Sequence, residues 1–203
     1  QGTRWYTVSI TGQDAHAGST PMAGRRDAVV AAAALIESVE RIAHERSPQA
    51  VGTVGALTVS PNSQNTIAGH VELRVDMRHP DARMMAEMDG ALRDSAATIA
   101  EARSVMINVD DIWYKPPVVF DSDCIASVRE AAATLGYSHQ DIVSGAGHDA
   151  CQVCSVAPTA MIFVPCAGGL SHNEAESAKP EHLEAGCNVL LNAMVERSGV
   201  VES

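Results

Sequence analysis

Ile67-Ala68-Gly69-His70-Val71-Glu72-Leu73-Arg74-Val75-Asp76-Met77 alternates apolar and polar side chains, with Val71, Leu73, Val75 and Met77 sharing one face. A period of two sends successive side chains to opposite sides of an extended backbone, so this stretch predicts a strand with one buried face. Its neighbours decide how the strand is used. Upstream, Pro61-Asn62-Ser63 makes a turn, and Val51 to Val59, rich in Val and Thr but softened by Gly52 and Gly55, predicts another strand. Before it, Asp27 can cap a helix that carries Ala34, Leu35, Ile36, Val39 and Ile42 at helical spacing and is ended by Pro48. Gly12 to Gly24 is rich in Gly, Ser, Asp and Pro and reads as a loop. Arg4 to Thr11 alternates again, Tyr6, Val8 and Ile10 against Trp5, Thr7, Ser9 and Thr11. Downstream, Pro80-Asp81 opens a second helix with Met84, Met85, Met88, Leu92, Ala96 and Ile99, and Val105 to Ile112 is a last alternating strand. The succession from about Arg4 to Tyr114 is β-α-β-β-α-β, the split βαβ or ferredoxin-like motif.

Lys115-Pro116-Pro117 breaks this pattern and reads as a hinge, so two domains are expected, residues 1–115 and 116–203. In the second, a helix is expected from about Asp121 to Leu135, a Gly-rich loop at Ser144 to Asp149, and a final helix from Pro180-Glu181 to about Arg197. Thr159 to Val164 is almost wholly apolar, as expected of a strand covered on both faces. One clear strand is thin for an independent core, so this part is expected to complete a sheet whose other strands lie outside the chain. The fold class is α/β (α+β). The chain opens on Gln1 rather than Met, with its first residues already strand-like, which is the expectation for a fragment.

With 14 Lys+Arg against 25 Asp+Glu the net charge is −11, which argues against binding to a phosphate backbone and hence against nucleic acid as a partner. No apolar run approaches the roughly 18–20 residues of a membrane span, so no membrane partner is expected. Five cysteines, an odd number, do not look like a secreted disulfide framework, and a reducing cytoplasm is the expected compartment.

Several residues could carry chemistry. His16 lies in a flexible Gly/Ser loop and could stabilise a developing charge or be merely solvated. Asn65 follows a turn. Arg78 ends a strand, where it could bind a carboxylate bidentately or form an ordinary ion pair with Asp76 or Asp81. Ser144-Gly145-Ala146-Gly147-His148-Asp149-Ala150 places two glycines before His148, and glycine lets a backbone approach a ligand closely. His172, in Gly168-Gly169-Leu170-Ser171-His172-Asn173-Glu174, follows the apolar stretch and is either a metal ligand or a hydrogen-bonded surface histidine. Cys151-Gln152-Val153-Cys154 has no second cysteine pair and no strand before it, so it reads as incidental. HExxH, Walker, GxSxG and GxGxxG motifs are absent.

Taken together, certain of these segments carry a resemblance. Asp14-Ala15-His16-Ala17-Gly18-Ser19-Thr20-Pro21-Met22, followed by Arg25-Arg26-Asp27-Ala28, resembles the lid-domain loop of the M20-type zinc amidohydrolases. The likeness is to the branch of N-carbamoyl-L-amino acid hydrolase, allantoate amidohydrolase and β-ureidopropionase. Gln64-Asn65-Thr66-Ile67, Asp76-Met77-Arg78-His79-Pro80, Ser144 to Ala150, and Pro165-Cys166 through Glu174 fit the same branch in order.

That resemblance implies roles. His172 matches the last ligand of a binuclear centre, with two Zn2+ in the full enzyme and Mn2+, Co2+ or Ni2+ possible in their place. His16 matches the lid histidine facing the tetrahedral oxyanion. Asn65 and Arg78 match the groups that hold the substrate carboxylate, with Gly147 offering backbone to it and His148 lining the pocket. It implies an enzyme that hydrolyses the carbamoyl (ureido) C–N bond of N-carbamoyl-L-amino acids with a metal-activated water. A small carboxylate-bearing ureido compound is the expected substrate, and a homodimer through the lid domain the expected assembly. Such enzymes carry most metal ligands and a glutamate general base in an N-terminal half that has no counterpart here. The chain is therefore expected to be a lid or dimerisation domain plus the C-terminal portion of a metallohydrolase catalytic domain, inactive alone. Allantoate or another ureido compound is the alternative substrate. A non-catalytic ferredoxin-like dimerisation module is the alternative of another class, followed by a CxxC redox protein.

Overall fold

Tyr6, Val8 and Ile10, the apolar half of the first alternating stretch, are fully buried, and they belong to strand β1 (Gly2–Thr11). In the computed structural model, which describes residues 1–198, there follow β2 (Ala15–His16), α1 (Ala28–His44), β3 (Val51–Ser60), β4 (Thr66–Ile67), β5 (His70–His79), α2 (Ala82–Arg103) and β6 (Met106–Lys115). Residues 199–203, the end of the second expected domain, lie outside the described residues. The four long strands form one antiparallel sheet in the order β3-β5-β1-β6, and β2 and β4 pair separately. Leaving those two short strands aside, the succession is the β-α-β-β-α-β read from the sequence.

The helices start where the sequence offers a cap. The Asp27 carboxylate accepts from the N–H of Val29 and Val30, and that of Asp81 from the N–H of Met84. One core results: Leu35, Val39 and Ile42 of α1 and Met88, Leu92 and Ala96 of α2 pack on Tyr6, Val8, Ile10, Val71, Leu73, Val75 and Met77. Arg4 and Arg93 tie α2 to β1 and β6 by each pairing with both Asp89 and Asp111, at 2.7–3.1 Å. The opposite face of the sheet is uncovered within this unit. Trp5 of β1 and Trp113 of β6 face each other there across the strands, ring centroids 4.9 Å apart.

The chain divides into two compact units, residues 1–118 and 119–203. The second contains α3 (Ser122–Thr134), capped by Asp121, a short α4 (Ala150–Val153) and α5 (Pro180–Ser198). Its buried apolar set is small: Ala131, Ala132, Val189 and Ala193, with Val128, Tyr137 and Ile162 packed against it. The strand expected at Thr159–Val164 is not formed, and Phe163 is 42% exposed rather than covered. The reason is physical. A strand exists through hydrogen bonds to a neighbour, and among the described residues of this unit the one bridge joins Cys166 to Ala178. No helix of the described residues is long and apolar enough to cross a membrane.

Candidate active site

The loop between β2 and α1 is held by its own histidine. The Nδ1 of His16 accepts from the backbone N–H of Gly18 (3.1 Å) and of Ser19 (3.2 Å). Both bonds need a lone pair on Nδ1, so the proton of the neutral ring sits on Nε2. Pairing of β2 with β4 sets His16 opposite Thr66, and the N–H of Ala17 donates to the carbonyl of Asn65 at 2.8 Å. The side-chain oxygen of Asn65 in turn accepts from the hydroxyls of Ser63 and Thr66. This leaves the Asn65 amide nitrogen as its donor. Both His16 and Asn65 are exposed. Thus two of the expected lid residues stand on adjoining segments, with a ring N–H and an amide N–H to offer.

Arg78 is elsewhere. It lies near the far end of β5, eight residues beyond His70. At about 3.3 Å per residue, that is about 26 Å along the strand. Its Nε and Nη2 grip the Asp76 carboxylate at 2.6–3.2 Å, and this bonding raises the guanidinium pKa above its ordinary value. Of the two ion pairs the sequence left open, the one with Asp76 forms.

In the second unit, the Nε2 of His148 lies 2.7 Å from the Ser144 hydroxyl, and its ring meets that of Phe163 edge-on. Ser144 also accepts from the N–H of Ala146, so one hydroxyl gathers the loop. Gly147 has no atom within 4 Å of where a Cβ would stand, and its φ is not positive. Neither crowding nor backbone conformation in this chain requires glycine there. His172 has a left-handed backbone, φ 57°, unusual for a residue with a side chain. The Ser171 hydroxyl lies 2.8 Å from its Nδ1, and the Glu176 carboxylate accepts from its N–H. That arrangement leaves Nε2 as the nitrogen for a metal. Among the described residues no group of three or more His, Cys, Asp and Glu could hold a metal ion. The described residues therefore supply a single candidate ligand and do not by themselves make a metal centre. All five cysteines are free, Cys151 and Cys154 included.

Sequence reasoning did not single out Arg25, Ser144, Ser171 or Glu176, the residues that hold the histidine loops. Arg25 and Arg26 look alike in sequence, yet Arg25 donates to the carbonyls of Ala17 and Thr20 while Arg26 donates to that of Ser104.

Residues 10–196 match the peptidase family M20/M25/M40. This chain belongs to that family. It is 45% identical to an N-carbamoyl-L-amino-acid amidohydrolase of Rhizobium meliloti over 202 residues, which span the whole chain and 49% of the relative. It is 33% identical to the allantoate amidohydrolase of Escherichia coli (strain K12) over 190 residues, 93% of the chain and 46% of the relative. Among solved structures it resembles an amidase of the hydantoinase/carbamoylase family from Burkholderia multivorans, with TM-score 0.92 and 53% identity over 97% of this chain and 48% of that one. The chain spans about half the length of the relatives it matches. The relatives so named are hydrolases of amide or ureido bonds.

Proposed function

We propose that this chain is the lid domain and the C-terminal part of the catalytic domain of a metal-dependent amidohydrolase. The reaction is hydrolysis of the carbamoyl C–N bond of N-carbamoyl-L-amino acids. The observation that carries the proposal is the pairing of the His16 and Asn65 segments, each of which offers an exposed side-chain N–H donor, Nε2–H of His16 and the amide of Asn65. Such donors suit an oxyanion and a carboxylate oxygen. Arg78 completes the carboxylate pocket. Gly147, free of any internal need for glycine, lets the substrate approach the backbone, beside His148. His172 contributes one ligand to a zinc centre, and the remaining ligands come from residues outside this chain.

The distance of Arg78 from His16 and Asn65 supports a site shared between two copies, in which a homodimer brings the ends of two lids to one substrate. β3, an outer strand, carries no charged residue over Val51–Ser60, whereas β6, the other outer strand, carries Asp110, Asp111 and Lys115. An uncharged outer strand invites pairing with another. Val29 and Ile36 are exposed on α1, and Val29 shares a cleft with Val59 at the end of β3. Dimerisation therefore runs through β3 and α1.

The test uses an intact enzyme containing this chain, assayed on N-carbamoyl amino acids, N-carbamoyl-β-alanine and allantoate. Preference for the first class, abolished by His16→Ala, is the expected result. Preference for allantoate would transfer the same site to that substrate. Turnover by this chain alone would overturn the claim that its metal site is incomplete.

A further inference from the structure

The four N–H groups that follow His16 all have partners. That of Ala17 goes to the Asn65 carbonyl, those of Gly18 and Ser19 to Nδ1 of His16, and that of Thr20 to the His16 carbonyl at 3.2 Å. The carbonyls that turn back are gathered by one side chain. Arg25 donates from Nη2 to Ala17 O at 2.6 Å, and from Nε and Nη2 to Thr20 O at 3.2 and 3.1 Å. The guanidinium is half-buried and makes no ion pair among the described residues. An arginine spent on carbonyls in this way is a brace for the backbone, and its rigid fork spans two acceptors where an ammonium has only a point charge.

We infer that Arg25 is a positioning residue that fixes the tautomer of His16. By holding the carbonyls of Ala17 and Thr20, it keeps the loop turned so that two amides meet Nδ1 and the ring proton stays on Nε2. The ring then presents a neutral N–H outward, the form that donates to an oxygen gaining negative charge. The catalytic significance rests on the reading of His16 proposed above. The structural statement does not, because tautomer and activity are measured separately.

The experiment is NMR of the ring nitrogens in the 203-residue chain with isotope-labelled histidine, assigned by comparison with His16→Gln. The wild type is expected to show one tautomer at His16, protonated at Nε2 and bare at Nδ1. In Arg25→Lys both nitrogens should move toward averaged values as the second tautomer is populated. Arg26→Lys should leave them in place, because Arg26 braces Ser104 instead. A wild-type His16 protonated at Nδ1, or already a mixture, overturns the inference without any variant being folded. An unchanged spectrum in folded Arg25→Lys, or in Arg25→Gln should the lysine variant not fold, overturns it as well. A shifted tautomer in Arg25→Lys with full-length activity retained would count against the role of His16 rather than against the brace.

Discussion

His172 combines two demands on one residue. Its φ of 57° costs a side-chain-bearing residue about 1–2 kcal/mol, and only glycine adopts it freely. A histidine held there fits the metal-ligand role proposed for its imidazole. We expect His172→Gly to raise the stability of the second unit by up to about 1 kcal/mol while removing the contribution to metal binding proposed for it. Urea unfolding and zinc titration of the intact enzyme read the two effects, and a destabilised variant would show that the side chain is structural. At Arg78 the geometry makes a different prediction. A planar fork already matched to a carboxylate can serve a substrate carboxylate, and lysine cannot reproduce it. Arg78→Lys in the intact enzyme should raise KM about tenfold to a hundredfold, the value of a charged hydrogen bond of about 1.5–3 kcal/mol, with a smaller change in kcat. The sequence marked both residues through their motifs. It could not show the sign of a backbone dihedral, which neighbouring turns impose, nor which acid Arg78 grips. Arg25 was illegible for the same reason: adjacent arginines acquire different partners only when the loop closes.

At the scale of elements the sequence was most readable where periodicity and burial coincide. Val71, Leu73, Val75 and Met77 alternate because one face of β5 lies under the helices, and that asymmetry is written residue by residue. Thr159–Val164 shows the limit. Its composition states that it wants cover and partners, but a strand is a relation between segments, and the described residues pair no second segment with it. The helix caps carry a pH dependence. Asp81 and Asp121 accept backbone N–H groups and Asp111 is held by Arg4, and each carboxyl lies below the ordinary range. A depressed folded pKa gives stability that is present above the unfolded value of about 3.9 and lost as pH falls through the folded one. The urea midpoint should therefore stay level from neutral pH to about 5 and fall below about 4, and Asp111→Asn should flatten part of that fall. The uncharged edge of β3 predicts more. Placing charge on it through Leu57→Lys together with Ile36→Lys on α1 should convert the proposed dimer to monomer by light scattering, with the circular dichroism unchanged. A dimer that survives both substitutions would move the interface elsewhere.

For the whole molecule, the two units differ in how much of their apolar surface is satisfied. The first buries one face of two amphipathic helices against β1 and β5, with β3 and β6 partly buried at the sides, in one core. Among the described residues the second has four buried apolar side chains, while Leu183, Leu190, Leu191, Met194 and Val195 of α5 stand half or more exposed. Single exposed apolar side chains are ordinary, but this many on one helix of a small unit signals a face made for cover. The close approach of Gly186 to Val164, where a Cβ would come within 2.7 Å of Cγ1, shows that α5 already packs tightly on the apolar stretch along one side. Val189 and Ala193 pack with Ala131 and Ala132, while the five exposed positions have no such cover among the described residues. In the proposed full-length enzyme the missing half of the catalytic domain covers them and pairs with Thr159–Val164. The 203-residue chain should then unfold in two steps. Amide exchange should be slowest in β1 and β5, near the global free energy, and faster in α3 and α5 through a separate opening. A dye that reports exposed apolar surface should bind the chain and be released when the complementary half is added. One cooperative transition, with no dye bound, would mean that the second unit is complete as it stands, and the half-domain reading would fall with it.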